Sequence, residues 1–119
     1  MSKPEISNFN TIIKEIIKKS LFTERQIAII LKQKKMLDVE FGVSKGAYYR
    51  QLAQSRRKIE SVYYTLILLQ ADDVILPDSD VISRLAEQLN VMKESDFAPE
   101  NESQIIDVIQ KAVKQLVNM

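Results

Sequence analysis

The chain has 119 residues, 45% of them hydrophobic and 28% charged, with a net charge of +1. That length suits one domain with its own hydrophobic core. With no cysteine and no histidine, disulfides, thiolate nucleophiles, finger-type zinc sites and the usual neutral-pH general base are all excluded.

Two glycines and three prolines are few for a sheet-rich chain and ample for a helical one, so the expected fold is all-α. Gly42 and Gly46 do not make a phosphate-cradling loop. No catalytic constellation stands out and no cofactor is implied, so a non-enzymatic role is expected. The most apolar run, Val62 to Leu69, is too short to cross a bilayer, and no segment resembles a signal peptide. The expected location is the cytoplasm, with no membrane partner.

A first helix is expected over about Asn8 to Lys19, where Phe9, Ile12, Ile13, Ile16 and Ile17 recur at spacings of three and four. Lys18 and Lys19 fall in its last turn, where the helix dipole favours them. Thr23 is an N-cap candidate, and Gln26 follows it at capping-box spacing. The second helix runs from there to about Lys35 and is expected to bury Ile27, Ile30 and Leu31. Leu37 to Phe41 is read as a short helical turn that Gly42 ends in the left-handed region.

Ser44 caps the next helix, which continues from Lys45 to about Gln70 without a breaker. Tyr48, Leu52, Ser55, Ile59, Val62, Leu66 and Leu69 alternate spacings of four and three, forming a seam for packing against another helix. Seven of the eight residues from Val62 to Leu69 are apolar, so that part must be buried within the domain or against another subunit. Ala71 to Asp80 is an acidic connection, with Val74, Ile75 and Leu76 as a brief extended stretch. Pro77 stops any helix, and Asp78 or Ser79 is expected to cap the next. That helix runs to about Met92 on Val81, Ile82, Leu85 and Leu89. Pro99 marks a further break, and a last helix from about Glu102 carries a broad apolar stripe.

The near-zero net charge hides an asymmetry. Met1 to Ile59 holds 13 basic and 5 acidic residues, a net +8, whereas Glu60 to Met119 holds 4 and 11, a net −7. A basic half points to a polyanionic partner.

The residues Phe41-Gly42-Val43-Ser44, followed by Lys45-Gly46-Ala47-Tyr48-Tyr49-Arg50 and closed by Arg56-Arg57-Lys58-Ile59, resemble the turn and recognition helix of helix-turn-helix proteins. They are most similar to the sigma-factor region-four and response-regulator output type. Leu21-Phe22-Thr23-Glu24-Arg25-Gln26 resembles the opening of the preceding helix in the same group. The resemblance covers Leu21 to Ile59. It implies a DNA-binding part over about 21–59 within a single domain, 1–119, whose helical remainder, about 60–119, serves interaction or dimerisation. Only 18 residues separate Thr23 from Gly42, where the relatives fit two helices. The first helix of the motif is therefore either very short or merged with the Thr23 helix.

Physical reasoning assigns roles within that part. Tyr48 and Leu52 face the core, which turns Lys45, Gly46, Tyr49, Arg50 and Gln54 outward toward base edges. Arg50 has the geometry to pair bidentately with guanine, and Gln54 with adenine. Arg25, Lys32, Lys34, Lys35, Arg56, Arg57 and Lys58 are candidates for phosphate contacts. The expected partners are duplex DNA and a second copy of the chain in a homodimer. The rival reading is a protein-interaction module, such as an adaptor to the transcription machinery.

Two other clusters are better explained without a special role. Arg84 to Val91 resembles another helix-turn-helix opening, but an acidic stretch follows it instead of a reading helix. Asp72, Asp73, Asp78 and Asp80 lack the spacing and glycine of a calcium loop, and serve as caps and solvated loop.

Overall fold

A computed structural model describes residues 9–75, 80–93 and 95–117. Among them are five helices and no strand: α1 Thr11–Lys19, α2 Glu24–Gln33, α3 Lys45–Ala71, α4 Val81–Met92 and α5 Pro99–Val117. The all-α expectation holds. No helix among the described residues is long and apolar enough to cross a membrane.

Helix α1 begins where Asn10 caps it, its side chain accepting a hydrogen bond from the Ile13 amide. That start lies later than expected, and Asn8 lies outside the described residues. The same Asn10 also donates its amide Nδ2 to the carbonyls of Met92 (2.8 Å), Lys93 (3.2 Å) and Ser95 (3.1 Å). One side chain thus caps the start of α1 and satisfies carbonyls that the end of α4 leaves open. Phe9, Ile12, Ile13 and Ile17 are buried as the periodicity required. Phe9, Ile13, Ile17 and Ala28 form one core cluster, against which Ile27, Leu31, Leu37, Phe41 and Leu89 pack.

Thr23 and Gln26 form a reciprocal capping box at the start of α2. The residues this helix buries most completely are Ala28 and Ile29, both at 0% exposure, rather than Ile27, Ile30 and Leu31, which are half-buried. The reason is that α2 is packed on two sides, against α1 and against α3. Ala28 belongs to the α1 side. Arg25, Gln26, Ile29 and Gln33 recur at spacings of three and four and form the stripe toward α3.

The expected helical turn at Leu37–Phe41 does not form. Lys35 adopts a left-handed φ of 61°, and the amides of Met36 and Lys35 bond back to the carbonyls of Leu31 (2.8 Å) and Lys32 (2.9 Å). That is a Schellman termination without glycine. The chain then runs without helix to Ser44. Leu37, Val39 and Phe41 are buried or half-buried while Asp38 and Glu40 are exposed, the period-two alternation of extended chain. Gly42, with φ 65°, turns the chain into the Ser44 cap.

Helix α3 has 27 residues, a rod of about 40 Å. Leu52 and Ser55 are buried, and Tyr48, Ile59, Val62, Leu66 and Leu69 are half-buried, so the expected seam is the face turned from solvent. Ser55 satisfies its hydroxyl by donating to the Gln51 carbonyl at 3.0 Å. The helix ends as α2 does: Asp73 takes φ 59°, and the Val74 and Asp73 amides bond to the carbonyls of Leu69 (2.8 Å) and Gln70 (3.1 Å). Val74 and Ile75 therefore wrap the helix end instead of extending away, while Leu76 to Ser79 lie outside the described residues.

Asp80 precedes α4 without a side-chain capping bond. Pro99 is not a break between elements but the first residue of α5. Its missing N–H costs nothing there, and its fixed φ suits a first turn. The Asn101 and Glu102 amides bond to the Ala98 carbonyl at 2.9 and 3.0 Å.

Candidate nucleic-acid interface

The candidate surface is the outer side of the first half of α3, held at a set angle by α2 and residues 34–44. Its start is local: the Ser44 hydroxyl accepts from the Ala47 amide at 3.1 Å. Its angle depends on three side-chain hydrogen bonds between α2 and α3. The Tyr48 hydroxyl donates to Gln33 Oε1 at 3.3 Å, Arg25 Nε to Gln51 Oε1 at 3.3 Å, and Lys58 Nζ to Gln26 Oε1 at 3.1 Å. The end of α2 thus lies beside the start of α3, and its beginning lies beside Lys58. Ile29 sits on the same α2 stripe as these three partners.

Phe41 is the hub of the connection. Its ring stacks on Tyr48 with centroids 6.0 Å apart, and the Arg25 guanidinium lies 4.8 Å from its centroid. Lys32 Nζ, 5.8 Å from that centroid, donates to the Val39 carbonyl and faces Glu40 at 3.9 Å. Tyr48 also meets Tyr49 edge-on at 5.3 Å. Desolvation by burial, with the neighbouring Tyr49 as the lesser cause, raises the Tyr48 phenol above its ordinary value of 10.0.

Lys45, Gly46, Tyr49, Arg50 and Gln54 are all exposed, as are Arg56 and Arg57. At about 100° per residue, Gly46, Arg50 and Arg57 fall opposite the buried Leu52–Ser55 side. From Phe41 to Ile59 there is no acidic residue. Among the described residues, no ion pair engages Lys45, Arg50, Arg56 or Arg57. The Arg50 side chain turns toward the helix start: a Cβ placed on Gly46 would meet its Nη1 at 3.9 Å and nothing else.

The other basic residues divide into two groups. Lys34 and Lys35 are exposed beside the connection, whereas Arg25, Lys32 and Lys58 are half-buried and engaged within the fold as described. Lys58 also lies 5.5 Å from the Phe22 ring centroid. Of the glutamines that complete these contacts, Gln26 is marked by sequence only as half of the capping box, and Gln33 and Gln51 carry no local signal of their own. What marks them is position: the shared stripe with Ile29 on α2 and the place of Gln51 beside Leu52 on α3.

No protein-family model, no curated protein and no solved structure matches this chain significantly.

Proposed function

We propose that the chain is a sequence-specific, duplex DNA-binding regulator of transcription that lays the first half of α3 in the major groove. The observation that supports this best is the acid-free, unpaired basic side of α3 opposite its buried seam. An ordinary solvated helix face mixes both charge signs, as α5 does with its Asp107–Lys111 pair at 3.0 Å. A helix of about 10–12 Å diameter fits a groove about 12 Å wide. Its capped N-terminus, with Lys45 in the first turn, adds positive potential where base edges and phosphates are met.

In this reading Arg50 and Gln54 read bases, and Tyr49 offers its ring to a thymine methyl or its hydroxyl to a phosphate. Gly46 permits close approach. Lys34, Lys35, Arg56 and Arg57 hold phosphates. Arg25, Lys32 and Lys58 act chiefly by fixing the angle between α2 and α3, their charges adding to the field. The α2–α3 pair, joined by residues 34–44, plays the part of a helix-turn-helix with an unusually long, aromatic-pinned turn.

The test is a titration of labelled duplexes, first selected from random sequence, at several salt concentrations. Affinity should fall with a log–log slope of about −0.9 per phosphate neutralised. Arg50→Ala should cost roughly 1–3 kcal/mol on the preferred duplex and much less on a scrambled one. Arg57→Ala should weaken both alike and reduce the salt slope by about one. A flat salt response, or no binding at low salt, refutes DNA binding and favours the adaptor reading.

A further inference from the structure

We infer that the second half of α3 is a pairing arm, and that its partner is the same arm of a second copy of this chain. The arm carries no charged residue from Ser61 to Ala71, about three helical turns. Its seam residues Val62, Leu66 and Leu69 are half-buried. Among the described residues nothing covers the other side of the arm: Tyr63, Tyr64, Ile67 and Leu68 are 63%, 74%, 65% and 60% exposed. These four recur at the spacings of one helix face, with Ala71 extending it, so they form one continuous stripe rather than scattered apolar residues.

Tyrosine is favoured at interfaces because its ring is buried while its hydroxyl stays wet.

Chemistry argues for self-pairing. An acidic or basic partner would find no complementary charge on the arm, and so no electrostatic selectivity. An uncharged apolar stripe is complementary to itself under a two-fold axis, where every contact is made twice. Steep apolar stripes at three-and-four spacing are also what two helices need to interlock side chains.

Sedimentation of the full chain without DNA tests this independently of any base reading. At tens of micromolar the wild type should sediment at twice its 13.7 kDa chain mass. Because the interface is uncharged, this should hold from low to high salt. Ile67→Glu with Leu68→Glu places unpaired carboxylates in the pair and should weaken it roughly 100-fold or more. Both positions are exposed in the single chain, so its helicity by circular dichroism should persist. Val108→Glu, at an exposed apolar position on α5, should leave the dimer intact. The chain has no cysteine, so Ile67→Cys is a unique reporter that should cross-link to its copy on mild oxidation. A wild-type monomer overturns the inference. So does a dimer that survives the double substitution, that yields only to Val108→Glu, or that gives no cross-link through Ile67→Cys. If the double variant fails to fold, the cross-link decides.

Discussion

Replacing Gly46 by alanine should stabilise the protein and weaken its grip on DNA, two effects of opposite sign from one methyl group. Gly46 is the second residue of α3, where glycine loses more backbone entropy on folding than alanine does. Steric cost is small, because the added Cβ meets only Arg50 Nη1 at 3.9 Å, an ordinary contact with the mobile end of a side chain. The backbone there is not in the left-handed region, so alanine fits without strain. A helix-interior exchange is worth up to about 1 kcal/mol, and a first-turn position about half of that. With an unfolding entropy of about 2.1 cal/mol/K per residue, roughly 250 cal/mol/K for this chain, the gain appears as about 2–4 °C in Tm. On DNA the methyl group stands where the helix must come closest, under the Arg50 guanidinium. Affinity for the preferred duplex should fall about tenfold, or 1.4 kcal/mol, at the low end for a base-reading contact. Calorimetric melting and anisotropy titration read the two effects separately. A raised Tm with unchanged affinity would mean that the start of α3 does not approach the duplex. A lowered Tm would refute the reading of Gly46 as sterically open.

Asn10→Ala should destabilise the protein by about 2 kcal/mol in chemical denaturation, since it removes an N-cap worth about 1 kcal/mol, deprives the half-buried Lys93 and Ser95 carbonyls of the Asn10 donor and leaves Met92 only the Ser95 amide. Asn10→Asp keeps the cap but turns a carboxylate toward the same carbonyls, so it should rescue little; full rescue would show that the bonds from Nδ2 to Met92, Lys93 and Ser95 contribute nothing. Tyr48 gives a pH signature: its phenol is raised in the folded state, so the unfolded chain ionises first and stability falls as pH climbs through 10.0. Below about pH 9 that contribution is complete, and Tyr48→Phe should therefore lose less stability than wild type between about pH 9 and 11. Parallel urea-denaturation curves for the two proteins across that window would refute the assigned shift.

How much of this fold is legible in the sequence depends on how local each device is. The caps at Thr23 and Ser44 are short-range bonds set by residue type and spacing, and both form as read. The seam of α3 is legible in its first half because mostly polar residues separate its buried positions, and the same phase carried into the nearly all-apolar Val62–Leu69 picks out Val62, Leu66 and Leu69. The buried side of α2 is not: Ile27 to Leu31 are all apolar, so periodicity cannot choose a phase, and packing by two neighbours selects Ala28 and Ile29. The ends of α2 and α3 are hidden for another reason. A left-handed termination is looked for at glycine or asparagine, yet Lys35 and Asp73 occupy those positions. Gly42 has the left-handed φ of a helix stop but follows extended chain, which the alternation in Leu37-Asp38-Val39-Glu40-Phe41 signals. Among the candidate contacts, exposure of Arg50 and Gln54 follows from the phase of α3, whereas Lys45, seven residues before Leu52 and so on its side, is exposed because it is the first residue of the helix. The engagement of Arg25, Lys32 and Lys58 depended on how α2 crosses α3, which no local pattern encodes.

The two proposals meet in the length of α3. Only its first half is held by α2, yet the helix runs on without a break to Ala71. A reading segment alone needs no such extension. The exposed arm carries the apolar burden of an interface and, from Ser61 to Ala71, no charged residue to offset it. A continuous helix has no hinge, so wherever the arm is fixed the reading segment is fixed too. Arg50 stands about 26 Å from Ile67 along the axis, at 1.5 Å per residue. Two arms crossing near Ile67 therefore hold their Arg50 residues at most about 51 Å apart, and closer as the crossing angle departs from antiparallel. The roughly 34 Å between successive major grooves on one face of a duplex lies within that reach. If both proposals hold, one rigid helix does what two domains and a linker do elsewhere: it sets which bases are read and how far apart the two readings are made.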